Sequence, residues 1–199
     1  MVRAATLETE PYPYLMAKGF VNPDAVPAIQ GSFPDITITG FRPAHDLTLK
    51  GAFARLIDVL NGPELSQALG RKFGLPLADL PRLITIRRLS AAHEGRIHCD
   101  STSKVASMLL YLNDGWSSPE GRLRVLRRSD SFDDYAAEVD PLTGTIFAFQ
   151  RRDDSWHGHT PFVGERRVVQ VAWLTSQEEA DRKIRDHRRS GFLRRLFRH

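Results

Sequence analysis

Between residues 81 and 175 the chain is a succession of short β-rich runs cut apart by turn residues, and this pattern excludes most folds. The runs are Leu83–Leu89, Arg96–Asp100, Ala106–Leu112, Leu123–Leu126, Thr145–Phe149 and Val168–Leu174. The breaks are Asn113-Asp-Gly, Ser118-Pro-Glu-Gly, Pro141-Leu-Thr-Gly and Val163-Gly-Glu, each built from residues that favour turns. Short strands with non-helical connections predict an antiparallel sandwich or barrel. Upstream the period changes. Leu49, Ala52, Phe53, Leu56, Ile57 and Leu60 recur at helical spacing, which predicts a helix over 49–61 ended by Gly62. Pro63 to Phe73 reads as a second helix, stopped by Gly74. Tyr14-Leu15-Met16 is a candidate strand, and Asn22-Pro has the cap and early proline of a helix start. Helices first and strands later describe an α+β, mainly β domain, with residues 1–80 as helical support and 81–175 as the sheet core.

A chain of 199 residues is long enough for one domain with a sizeable core. It has no apolar run of membrane-spanning length and no secretory signal core at its start. A single cysteine, Cys99, excludes an internal disulfide and suits a reducing cytoplasm. The net charge of +4 is concentrated. Residues 176–199 hold eight Lys/Arg and four Asp/Glu, which leaves 20 of each in the rest of the chain. The high pI is therefore a property of the tail and gives little reason to expect a nucleic-acid partner. Ser176-Gln-Glu-Glu179 is a capping box that predicts a helix to about Ser190, stopped by Gly191. Beyond it, Phe192, Leu193, Leu196 and Phe197 stand among arginines. Residues 176–199 read as a terminal helix with a solvated face, or as a basic amphipathic segment for anionic lipid or an acidic partner.

The chemistry begins at His98-Cys-Asp100. Side chains two apart on a strand share a face, so one strand can offer an imidazole and a carboxylate to one ion. A distant Trp156-His157-Gly-His159 can add a third ligand. Two imidazoles and one carboxylate cover one face of an octahedral metal and leave the other open. Cys99 would face away, as a small core residue. His159 reads as a hydrogen-bonding or substrate-contacting residue, Trp173 as core, and Lys104 as a loop charge or a substrate contact. His45, His93, His187 and His199 lack partners at ligand spacing and read as surface or loop residues. Asp114, Asp130, Asp133 and Asp134 read as loop acids.

His98-x-Asp100, Ser101-Thr-Ser-Lys104, Leu110-Tyr-Leu-Asn113 with Trp116, Glu120-Gly-Arg-Leu123, Pro141 to Phe149, Trp156-His157-Gly and Gly164-Glu-Arg-Arg167 follow one another in a specific order. In this the chain resembles the Fe(II)- and 2-oxoglutarate-dependent dioxygenases, in particular the prolyl-4-hydroxylase-like branch. The resemblance implies a double-stranded β-helix, or jelly roll, within a catalytic domain spanning 1–175. It implies Fe(II) held by His98, Asp100 and His157. It also implies 2-oxoglutarate whose far carboxylate meets Arg166, or its neighbour Arg167, with the phenol of Tyr111 beside it. The implied reaction consumes O₂, releases succinate and CO₂, and hydroxylates a prime substrate, either a peptidyl residue such as proline or a small molecule or glycan precursor. The intact Asp100 favours hydroxylation over halogenation. Two other readings stand: a cupin-like metal-dependent barrel enzyme that does not use 2-oxoglutarate, and a binding module without activity.

Overall fold

The structure, a computed structural model, describes residues 2–196, with side chains described through residue 189. Strand β1 is Tyr14–Ala17, helix α1 Val26–Gly31, strand β2 Arg42–Pro43, and helices α2 and α3 are Gly51–Asn61 and Pro63–Phe73. Strands β3 (Arg82–Ser90), β4 (Lys104–Tyr111), β5 (Leu123–Leu126), β6 (Tyr135–Val139), β7 (Ile146–Gln150), β8 (His157–His159) and β9 (Gly164–Leu174) follow. Helix α4, Gln177–Leu196, comes last. A major sheet has the order β1-β7-β4-β9-β3-β2 and a minor sheet the order β6-β5-β8. All strand pairings are antiparallel. The domain is mainly β with helical support, as the turn spacing predicts.

Alternation along the strands divides the major sheet into two faces. Ala106, Met108 and Leu110 of β4, Ile146 and Ala148 of β7, Val169, Val171 and Trp173 of β9, and Ile84 and Ile86 of β3 share one core with Phe53, Leu56, Ile57 and Leu60 of α2 and Leu65 and Leu69 of α3. The opposite face turns toward the minor sheet. There Leu109, Tyr111, Phe147, Phe149 and Val168 meet Leu123, Val125 and Val139.

The helices obey their sequence signals. Ser32 Oγ accepts the Phe53 N–H at 2.9 Å, so α2 is capped by a residue distant in sequence. Pro63 opens α3, and Gly74 closes it in the left-handed conformation at φ 67°. Trp173 Nε1 donates to Ser66 Oγ at 2.9 Å and ties β9 to α3.

Two expectations need correction. Arg96–Asp100 is not a strand; it is a loop joined to β8 by a single bridge, in which His98 and His157 exchange two backbone hydrogen bonds of 3.0 Å. The cause is local: Gly95 adopts φ +86°, and a Cβ there would lie 2.2 Å from the His159 ring. Gly191 does not stop the last helix, which continues to Leu196. Ser176 does cap it, its Oγ accepting from the Glu179 N–H at 3.3 Å. The side chains of Phe192, Leu193, Leu196 and Phe197 lie outside the described residues. Strands β2, β6 and β8 carry no clear sequence signal, being short or broken by polar residues.

Candidate metal centre and its pocket

Among the described residues one group can hold a metal ion, and it is His98, Asp100 and His157, with one ligand atom of each within 4.8 Å of the others. The pair at 98 and 100 comes from the loop, and His157 opens β8. The bridge between His98 and His157 brings the two rings to a centroid distance of 4.4 Å.

The donor set fits a metal dication. His98 Nδ1 lies 2.8 Å from the Arg96 carbonyl and His157 Nδ1 2.9 Å from the Ser155 carbonyl. Protonated Nδ1 atoms satisfy these carbonyls and leave each Nε2 lone pair for a metal. Burial holds the His157 imidazole at a pKa of about 4, so it stays neutral near pH 7. Burial alone would raise the Asp100 carboxyl. The Lys104 ammonium, with His157 and hydrogen bonds from Lys104 and Ser107, outweighs it and keeps Asp100 ionised. Lys104 Nζ is 2.8 Å from Oδ1, and Ser107 Oγ donates to Oδ2 at 2.6 Å. Lys104 is thus no loop charge; it begins β4 and is largely buried beside the carboxylate. Arg151 Nε donates to the Asp100 carbonyl at 3.1 Å and fixes the loop.

Arg166 and Arg167 go opposite ways from β9. Arg166 is 1% exposed and lines a cavity of about 320 Å³ that also holds the metal-binding group. Its Nε donates to the Gly121 carbonyl at 2.9 Å and its Nη2 to the Tyr111 hydroxyl at 3.3 Å. Gly121 stands at φ +76° where a Cβ would meet the Trp116 and Phe162 side chains, so the turn that presents this carbonyl requires glycine. Arg166 makes no ion pair among the described residues. Arg167 points outward, to Glu165 and to Gln30 of α1, with its guanidinium over the Phe33 ring at 5.2 Å. The difference follows from the two-residue period of a strand.

Several residues in and around the pocket have no sequence signal for such a place. Tyr12 donates its hydroxyl to the Trp156 carbonyl at 3.0 Å, and Phe149 packs on the His157 ring at 4.6 Å. Arg87 lies over the Phe41 ring at 4.2 Å and pairs with Glu94 at 3.5 Å. Lys183 and His187 of α4 line the cavity, which corrects the reading of His187 as a surface or loop residue. His159 lines it as well. Its Nδ1 faces the Thr160 carbonyl at 2.8 Å, its Nε2 is buried without a partner, and burial, then Arg166, lowers its pKa to about 3. Cys99 is half-buried in the loop and donates to the Asp153 carbonyl at 3.3 Å, so it is not a core residue. Trp173 is fully buried on the helical side, as expected. Asp130, Asp133 and Asp134 pair with Arg128, Arg124 and Arg127 at the surface.

Residues 84–175 match the family model of the 2OG-Fe(II) oxygenase superfamily. This stretch is a 2OG-Fe(II) oxygenase domain. The matched region runs from β3 to the end of β9 and contains the candidate metal-binding group, Tyr111 and Arg166. Members use Fe(II), 2-oxoglutarate and O₂, so the chain is a 2-oxoglutarate-dependent dioxygenase. No curated protein matches the chain in sequence. Similar solved structures include a prolyl-4-hydroxylase from Pseudomonas putida, with TM-score 0.62 and 19% identity over 87% of this chain and 98% of that one. A prolyl 4-hydroxylase from Phytophthora capsici has TM-score 0.54 and 21% identity, over 92% and 68%. The collagen prolyl hydroxylase of Paramecium Bursaria Chlorella virus-1, solved as a 2OG complex, has TM-score 0.54 and 13% identity, over 81% and 96%. At these identities the likeness shows the fold, a jelly roll. No described helix is long and apolar enough to cross a membrane.

Proposed function

We propose that the chain hydroxylates a prime substrate with His98, Asp100 and His157 holding Fe(II) and with Arg166 and Tyr111 holding the far carboxylate of 2-oxoglutarate. The observation that carries the cosubstrate assignment is Arg166. A guanidinium buried without a carboxylate costs several kcal/mol, so this position calls for an anion. A planar fork suits a carboxylate, and the Gly121 carbonyl and the Tyr111 hydroxyl fix the orientation of that fork. Arg167, committed to Glu165 and Gln30, has no such role. The likeness to a viral enzyme solved with 2-oxoglutarate supports the same reading.

When bound, the metal supplies oxidative chemistry that couples decarboxylation of 2-oxoglutarate to hydroxylation. The chain supplies the rest. Ser155 and Arg96 carbonyls orient the two imidazoles, Lys104 and Ser107 hold Asp100 as a carboxylate, Phe149 packs on the His157 ring, and Tyr12 fixes the Trp156 carbonyl beside it. The intact Asp100 fits hydroxylation. A reducing, cytoplasmic setting suits Fe(II) and the free Cys99. A cupin-like enzyme without 2-oxoglutarate would give no reason for Arg166.

The test is release of labelled CO₂ from 2-oxoglutarate with and without Fe(II), beside equilibrium binding of 2-oxoglutarate to the wild type and to Arg166→Met. We expect Fe(II)-dependent release and an affinity loss of about 100-fold in the variant, the scale of a buried charge-assisted contact. Equal binding by the two proteins overturns the anchor, and binding without any release overturns the oxygenase assignment.

A further inference from the structure

The cavity is more cationic than its cosubstrate requires. If the proposed function holds, the metal dication, Asp100, the two carboxylates of 2-oxoglutarate and Arg166 balance one another. Arg87 and Glu94 form a pair of their own at 3.5 Å. Two ammoniums are left, Lys104 and Lys183, and both line the cavity. Lys104 relies on Asp100, whose charge a bound metal would claim. Lys183 makes no ion pair with an acid among the described residues, and it lies close enough to Lys104 for mutual repulsion, which with burial lowers its pKa. Like charges held together in a half-buried recess are destabilising unless an anion joins them. Asp186, one turn along α4, borders the outer recess that Lys183 also lines and is the one acid left at that rim.

Helix α4 holds Lys183 in place. Ala180 and Ile184 pack on Leu83, Ala172 and Leu174. Farther along, Arg188 makes a forked ion pair with Asp46, with contacts of 2.6 to 3.1 Å. The helix is thereby laid beside the metal-binding group as a wall. Leu83, Ala172 and Leu174 also line the cavity, so apolar surface and ammonium occur together. The space is small: about 320 Å³, shared with the cosubstrate, opening to a recess of about 360 Å³ bordered by Phe41, Arg87 and α4. Volumes of this size lie at the low end for small-molecule sites.

We propose that the prime substrate is an anionic small molecule, a short apolar skeleton bearing a carboxylate or comparable acid, and that Lys183 of α4 is the residue that selects it. Substrate is then read by a residue outside the matched oxygenase region. The strand core binds metal and cosubstrate, and the terminal helix sets what is oxidised.

The inference is tested on protein loaded with Zn(II) in place of iron and with 2-oxoglutarate, which is inert to turnover. Ligand-observed NMR compares matched pairs of small carboxylic acids and their primary amides, together with proline-containing acidic peptides. We expect some acids to bind at least about tenfold more tightly than their amides, the scale of one charge-assisted contact. Lys183→Met should remove that preference and Lys183→Arg should retain it, while both variants keep the 2-oxoglutarate affinity of the wild type. Acids that stimulate succinate formation in the iron enzyme should be those that bind. Amides that bind as well as acids, a preference untouched in Lys183→Met, or binding confined to peptides overturns the inference and leaves the cosubstrate reading intact. Failure of 2-oxoglutarate to load overturns both, and the loading step alone reveals it.

Discussion

The two faces of the major sheet are made by the same strands, yet they differ in kind. Toward α2 and α3 the buried strand residues are apolar, with Trp173 the largest of them, and the polar atom of Trp173 is satisfied by Ser66. Toward the minor sheet the same strands present Tyr111, Ser107, Phe149, Arg87, Gln170 and Arg166. On β9, Arg166, Val168, Gln170 and Ala172 alternate with Arg167, Val169, Val171 and Trp173. One face provides burial and the other chemistry, and each strand contributes to both. A substitution should therefore be separable by face: stability without function on one, function without folding on the other.

The largest effect tests the chemical face. Asp100→Ala should bring succinate formation down to background, while heat unfolding of the variant remains cooperative. Succinate measured against the wild type decides it, and an active variant removes the metal assignment. The helical face gives the converse. Trp173→Ala should lower stability by about 3–5 kcal/mol, because a fully buried indole leaves a cavity and Ser66 keeps only Arg82 of its two donors. Urea titration measures the loss. The folded fraction should still bind 2-oxoglutarate with wild-type affinity, and a parallel loss of that affinity would show that the faces are not independent.

The helical face was the legible one in the sequence. Helical spacing in 49–61, proline and glycine at the ends of Pro63–Phe73, and the turn clusters between strands all encode burial, and periodicity reports burial. The grouping of His98, Asp100 and His157 was legible for a different reason: a chemical set in a fixed order is recognisable even where the local structure is misread. Arg96–Asp100 was expected as a strand because His98 and Asp100 alternate around Cys99. The loop delivers the same pair because the His98 backbone pairs with that of His157. What stayed hidden depends on long-range placement. Tyr12 at the Trp156 carbonyl, Phe149 on the His157 ring, and Lys183 and His187 at the cavity carry no local mark of that role, since a basic helix with a solvated face has the same sequence signature. Arg166 and Arg167 are adjacent and chemically identical, so only the register of β9 separates them.

The chemical face should also make stability depend on pH, because it buries imidazoles, His157 and His159, of which the helical face has none among its buried residues. Burial depresses His157 to about 4, and burial with Arg166 depresses His159 to about 3. In the unfolded chain both titrate near 6.5. Below that pH the unfolded state binds more protons than the folded one, so stability is full above about pH 6.5 and falls as pH drops toward 4. For metal-free protein the loss between about pH 7 and pH 5 should be on the order of 3 kcal/mol. Asp100, held low mainly by Lys104 against its burial, adds a further loss only at more acidic pH. Urea midpoints at the two pH values measure this, and a flat profile would mean that the imidazoles are not buried as neutral groups.

The smallest effect lies where the two kinds of face meet in one side chain. Tyr111 packs its ring in the core between the sheets and offers its hydroxyl to Arg166. Burial raises its pKa, with Arg166 opposing, so the phenol stays protonated and can donate to an anion while it accepts from the guanidinium. Tyr111→Phe keeps the packing and removes that bridge. A single neutral hydrogen bond is worth about 1 kcal/mol, so 2-oxoglutarate affinity should fall about fivefold, with stability nearly unchanged. Arg166 keeps the Gly121 carbonyl in the variant, which limits the loss. A fall approaching that of Arg166→Met would make the phenol an equal anchor, and a large drop in stability with unchanged affinity would place Tyr111 on the packing side alone.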